Sequence, residues 1–208
     1  MVFHCALNVI LLNQCIYTHT YLGMIVDRFL CWNPHIIKMS NRLRSASYQM
    51  YQLKNILPFN TLKLVYHALV ESIMLYGILS YGNASHTHLR KIIVIQDKII
   101  RLLAPNLDSK SQSYKHCNIL PFHELFLYRF ILKYYYSNDH KIINQHKLNT
   151  RQQLRVNYVI PSYTTKYGKR QLSIAIPTIF NNIPQALENV ETFRLIKHIL
   201  KPWLLDNL

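Results

Sequence analysis

Nine carboxylates are all the acid in this chain: Asp27, Glu71, Asp97, Asp108, Glu124, Asp139, Glu188, Glu191 and Asp206. Two-metal chemistry on phosphates needs acids clustered so that cations sit against the attacking and leaving oxygens. No two of the nine are adjacent. Glu188 and Glu191 come closest, and they flank an expected helix start, where carboxylates favourably meet the helix dipole. His86-Thr87-His88, and His116-Cys117 with His123, carry ligand atoms without zinc spacing. Surface or capping roles are expected for them. There is no Gly-rich phosphate loop, and Ser, His and Asp occur without the pattern of a nucleophilic site. No catalytic residue, metal site or cofactor is therefore expected in this chain.

The residues suited to another chemistry are the cations. Lys and Arg number 24 against the 9 acids, a net charge of +15. The excess is spread along the chain, unlike a basic tail, and suggests a polyanionic partner, most simply RNA or DNA. Candidate phosphate contacts on expected helices are Lys38, Arg42, Arg44, Arg90, Lys91, Lys98 and Arg101. Residues 149–171 add Arg151, Arg155, Lys166, Lys169 and Arg170 with no acid among them. Tyr158, Tyr163 and Tyr167 are interleaved there and could stack on unpaired bases. The alternatives are a solvated face for each cation and packing against a helical bundle for the tyrosines.

Elements must hold these side chains in place. Half the residues are hydrophobic and only 4 are Gly, which favours helices joined by Pro- and Asn-containing loops. The expected class is mainly α: a helical bundle, with a short N-terminal β-hairpin and a basic, partly irregular C-terminal region. Residues 6–12 and 15–26 each suit a strand, joined by a turn at Asn13-Gln14. Asn33-Pro34 reads as an N-cap with Pro at the first helical position. Ile36, Met39, Leu43, Ala46, Met50, Leu53 and Leu57 then form a heptad-like seam, stopped by Pro58. Asn60 can cap a helix over about 61–76, and Ser85 one over about 86–103, where Asp97 and Arg101 are spaced to pair. A fourth helix follows Pro121 to about Tyr136. Two more are expected near 172–181 and 190–201.

Cys5, Cys15, Cys31 and Cys117 lack Cys-x-x-Cys spacing and read as reduced thiols of an intracellular protein, nuclear or cytoplasmic. The apolar run Leu64–Gly82 approaches membrane-span length. However, Lys63, His67 and Glu71 recur every four residues, which marks an amphipathic core helix and no membrane span.

One stretch is similar to a known family. Tyr21-Leu22-Gly23, Asp27, Leu30, Trp32, His35 and Ile36 resemble the segment between the palm and thumb of reverse transcriptases from non-LTR (LINE-type, jockey-like) retrotransposons. Tyr76-Gly77 and Tyr81-Gly82 resemble the family's next marker, with Tyr81 in place of a usual Trp. Later pieces fall in the family's order: "NILP" at 118–121, "NTR" at 149–151, Gly168-Lys169, Asn181 with Pro184, and the closing helix around Phe193. Phe180 replaces another usual Trp. The resemblance implies a palm-edge remnant at 1–32, a thumb-like bundle at 33–148 and a basic region at 149–208. It also implies a template–primer duplex as partner. Divalent metal is expected only for a complete polymerase, whose catalytic aspartates would be encoded upstream of Met1 or lost. The rival expectation is a helical interaction module whose heptad seam pairs with another protein chain, or a remnant without function. A palm domain is a further possible partner.

Overall fold

The turn at Leu22-Gly23 sets how the described chain begins. Both residues have positive φ, 46° and 80°, the signature of a tight two-residue hairpin. Strand β1 (Thr18–Tyr21) therefore folds back on β2 (Met24–Asp27), with Thr18 opposite Asp27 and Tyr21 opposite Met24. The single strand expected over 15–26 is thus two strands, because Gly23 supplies a turn within it. This computed structural model describes residues 18–137, 141, 158–165, 167–183 and 192–208. The expected strand at 6–12 and turn at Asn13-Gln14 lie outside them.

Helix α1 (Asn33–Leu53) carries the seam as expected: Ile36, Met39, Leu43, Ala46 and Met50 are buried. Leu53 and Leu57 pack against the core edge. The seam is filled by this chain's own helices, so it is not free to pair with a second chain. Asn33 does not cap α1. Trp32, at φ 63°, holds the cap position, because the Asp27 carboxylate accepts the backbone N–H of Trp32 (2.7 Å) and of Cys31 (3.0 Å) and fixes the loop before it. The helix stops at Leu53, before Pro58.

Pro58 itself precedes α2 (Phe59–Val65), which leaves Asn60 inside the first turn. The expected helix over 61–76 continues from α2 through a wide π-turn, Tyr66–Glu71, where the Ser72 N–H reaches back to the His67 carbonyl. It resumes as α3 (Ser72–Leu75). A short α4 (Ile78–Tyr81) follows, then α5 (His86–Leu103), preceded by Ser85 as expected but without a side-chain cap bond. α6 (Lys110–Cys117) was not legible from apolar spacing, because only Tyr114 and Cys117 are large and buried there. α7 (Phe122–Tyr134), α8 (Leu172–Phe180) and α9 (Phe193–Asp206) complete the order. α9 runs past the expected end at 201, through Pro202, because burial of Leu204 and Leu205 offsets one missing hydrogen bond.

One hydrophobic core joins Trp32 at one end to Leu205 at the other. α1 packs on α5 more extensively than any other pair of elements. Their N-terminal ends meet, with His88 Nδ1 3.1 Å from Asn33 Oδ1. Gln96 is fully buried between them and the rest of the bundle, donating to the Tyr66 hydroxyl (2.9 Å) and the Leu120 carbonyl (3.0 Å). Among the described residues no helix is long and apolar enough to cross a membrane.

Candidate nucleic-acid interface

A helix that buries one stripe must turn the remainder to solvent. On α1 that places Lys38, Arg42 and Arg44 outside, and on α5 Arg90, Lys91, Lys98 and Arg101; all seven are exposed. They do not form one continuous stripe. Lys38 and Arg42, four apart, lie on one flank of α1, and Arg44 lies on the other, donating to Asn41 Oδ1 at 2.8 Å. On α5, Lys91 and Lys98 share a line at seven-residue spacing, beside Arg90 and Arg101 at eleven. Lys91 Nζ also reaches Asn33 Oδ1 (3.4 Å), so the N-terminal ends of α1 and α5 present charge together.

The electrostatics follow from where the acids are. α1 contains none, and α5 contains only Asp97. Asp97 does not pair with Arg101. It accepts from the buried Tyr114 hydroxyl (2.7 Å) and from Lys110 Nζ (2.7 Å), tying α5 to α6. Tyr114 needs an acceptor because it is buried, and this demand outweighs the local i,i+4 geometry. Burial, followed by the adjacent Asp97 carboxylate, pushes its hydroxyl pKa far above the ordinary value. Among the described residues, none of the seven cations has a carboxylate within 4.0 Å.

The C-terminal candidates are divided. Arg151, Arg155 and Lys166 lie outside the described residues. Tyr158 is half-buried, its ring edge-on to Phe180 at 6.4 Å. Its backbone exchanges two hydrogen bonds with the Asn181 side chain (2.8 and 3.0 Å). These contacts hold it against the C-terminal end of α8. Tyr163 and Tyr167 are exposed, as is Lys169. The Tyr167 hydroxyl lies 3.5 Å from Cys31 Sγ, which raises its pKa, and the half-buried Arg170 guanidinium stands 5.5 Å from the Tyr167 ring. This segment thus lies against the loop that follows β2.

Two aromatic residues escaped the sequence reading. Tyr48 and Tyr51 are 65% and 53% exposed, at four and seven residues from Arg44 on the face opposite the seam, and Lys54 Nζ stands 4.6 Å over the Tyr51 ring. The spacing of Arg44, Tyr48 and Tyr51 was the available signal.

The residues that carry the family resemblance form a structural joint. Tyr76 donates to the Leu22 carbonyl in the hairpin turn. Gly77, at φ 68°, has the Met24 sulfur 2.2 Å from where a Cβ would stand. Tyr81 is fully buried, donates to the Met74 carbonyl and stacks on Phe122 at 5.9 Å. Gly82 would place a Cβ 2.4 Å from both the Ile78 carbonyl oxygen and the Phe126 ring. His35 accepts from the Ile25 N–H at 3.3 Å, with the rings of Trp32 and Tyr81 beside it. Its burial, then Lys38, holds its pKa below the ordinary value. Among the described residues no three His, Cys, Asp or Glu side chains gather closely enough to hold a metal ion.

The chain is 33% identical over 100 residues, 45% of its length, to the RNA-directed DNA polymerase from mobile element jockey of Drosophila funebris. It is 32% identical over 91 residues, 41% of its length, to the polymerase of the same name from Drosophila melanogaster. These matches cover 11% and 10% of the relatives, so the chain spans about a tenth of their length. No protein-family profile matches the chain, and neither does any solved structure. Its homologues are RNA-directed DNA polymerases of non-LTR retrotransposons.

Proposed function

We propose that this chain is the nucleic-acid-gripping, thumb-like part of a retrotransposon RNA-directed DNA polymerase. It holds a template–primer duplex through phosphate contacts that fix position and carry no sequence information. The carrying observation is the set of seven exposed cations on α1 and α5, none facing a carboxylate among the described residues, in a chain homologous to such polymerases. The divalent ions, and the clustered acids that hold them, belong in this reading to the catalytic palm of a complete polymerase. This chain contributes position, with Lys38, Arg42 and Arg44 on one helix and Arg90, Lys91, Lys98 and Arg101 on the other. Lys169 and Arg170 add to the grip from the C-terminal segment.

The test is binding of a short RNA–DNA duplex, followed by fluorescence anisotropy across a salt series. If all seven cations meet phosphates, the slope of log affinity against log salt is about −6. Reversing Arg90 and Lys98 together to Glu lowers the slope by about 2 and weakens binding equally for unrelated sequences. Salt-insensitive binding, or none at about 50 mM salt, sinks the proposal.

A further inference from the structure

An open cavity of about 450 Å³ lies between α3 and α4, α7, and the start of α9. Its rim carries three cations, Arg129 and Lys133 four apart on α7 and Lys197 on α9. All three are exposed, and among the described residues no acid lines the cavity and none of the three is ion-paired. Its wall is apolar, with Leu75, Ile78 and Phe193 among the lining groups. Phe193, the first residue of α9, is 43% exposed. Lys197 Nζ stands 4.5 Å from its ring centroid.

We infer that this cavity is a nucleotide subsite, taking one unstacked base against Phe193 and its phosphates on Arg129, Lys133 and Lys197. Three like charges around one opening repel each other, and an anion relieves that repulsion. A bare phosphate would use the rim and leave the apolar wall wet. An acidic peptide would need neither a flat aromatic face nor a concave wall. A nucleotide uses both halves, since every base has a π-face and every linkage a negative charge. The volume lies within the range of about 300–1,000 Å³ for small-ligand clefts. The inference rests on the nucleic-acid reading above and adds single-stranded nucleic acid to the duplex as a ligand class.

The experiment compares the 208-residue chain with Phe193→Leu and Lys197→Gln. The probes are a labelled short oligo(dA) or oligo(rA), a labelled blunt duplex, and dATP as competitor. Both positions are exposed and Leu keeps the apolar bulk, so the variants should fold; circular dichroism melting confirms it. The expected result is single-strand affinity at least about fivefold weaker in Phe193→Leu, with duplex affinity unchanged, and a shallower salt slope in Lys197→Gln. Competition by dATP that Phe193→Leu abolishes supports a free nucleotide as occupant. Phe193-dependent oligonucleotide binding that dATP does not compete supports a strand. Equal losses on single strand and duplex overturn the subsite, because general charge would then explain both. Unchanged binding in both variants also overturns it, and leaves the duplex grip standing. If the unaltered chain binds no nucleic acid at all, both proposals fall.

Discussion

At the scale of single residues, glycines and one histidine show what the family-like motifs do. Gly82 is enclosed by backbone on one side and the Phe126 ring on the other. Gly82→Ala should cost about 1–3 kcal/mol, since overpacking a tight site forces neighbours off their minima; urea denaturation checks this. His35 makes a different prediction. Its pKa is held below the ordinary 6.5, so the unfolded chain takes up that proton first as pH falls. Stability from this site is full above about 6.5 and is lost as pH drops from there through the folded-state pKa. His35→Gln should remove that part of the slope, seen as a smaller Tm difference between neutral and mildly acidic buffer. The sequence showed Tyr76, Gly77, Tyr81 and Gly82 as markers, yet their jobs were invisible in it. Only the folded chain brings Met24 against Gly77 and Phe126 against Gly82.

At the scale of elements, periodicity served where one face is buried against several neighbours. The α1 seam was legible because five apolar side chains at heptad spacing all enter the core. Leu43 is 1% exposed at its centre, and Leu43→Ala should cost about 2–5 kcal/mol through a cavity that rigid neighbours cannot close, measured as a fall in the denaturation midpoint. α6 was missed for the converse reason: eight residues with two large buried side chains give no usable period. The Asp97–Arg101 pair failed because spacing on one helix says nothing of a hydroxyl arriving from another. The Asn33 cap failed in the same way, to an Asp27 carboxylate that fixes the preceding loop. Of the candidate interface, exposure of the seven helical cations followed directly from the seam, since burying one stripe exposes the rest. Their division between flanks, and the rim of Arg129, Lys133 and Lys197, depend on how helices meet and had no local signal.

At the scale of the molecule, the hairpin, α1, α5 and α9 share one core, from Trp32 through Leu205. Chains built on one core usually unfold in one step. Far-UV circular dichroism and the fluorescence of Trp32 and Trp203, near opposite ends of the sequence, should therefore report the same midpoint. Separated transitions would show that the C-terminal helices form an independent unit. The chain's net charge of +15 makes it self-repelling at low salt, and a bound polyanion would relieve that repulsion as well as gain contacts.

The π-turn at Tyr66–Glu71 has a bearing on how such a chain tolerates change. A wide turn takes up one residue more than an α-helix of the same reach. Upstream of it Leu62 faces the core, and downstream Tyr76 reaches the hairpin turn. Removing one residue from the turn would swing one of these sets away from its partners by roughly a quarter of a revolution or more. Exposed Ala68 and Leu69 can be respelled freely, while a change in their number cannot be absorbed. This stretch acts as a spacer whose length matters at every position, and whose residue identity matters where Tyr66 and Val70 are buried.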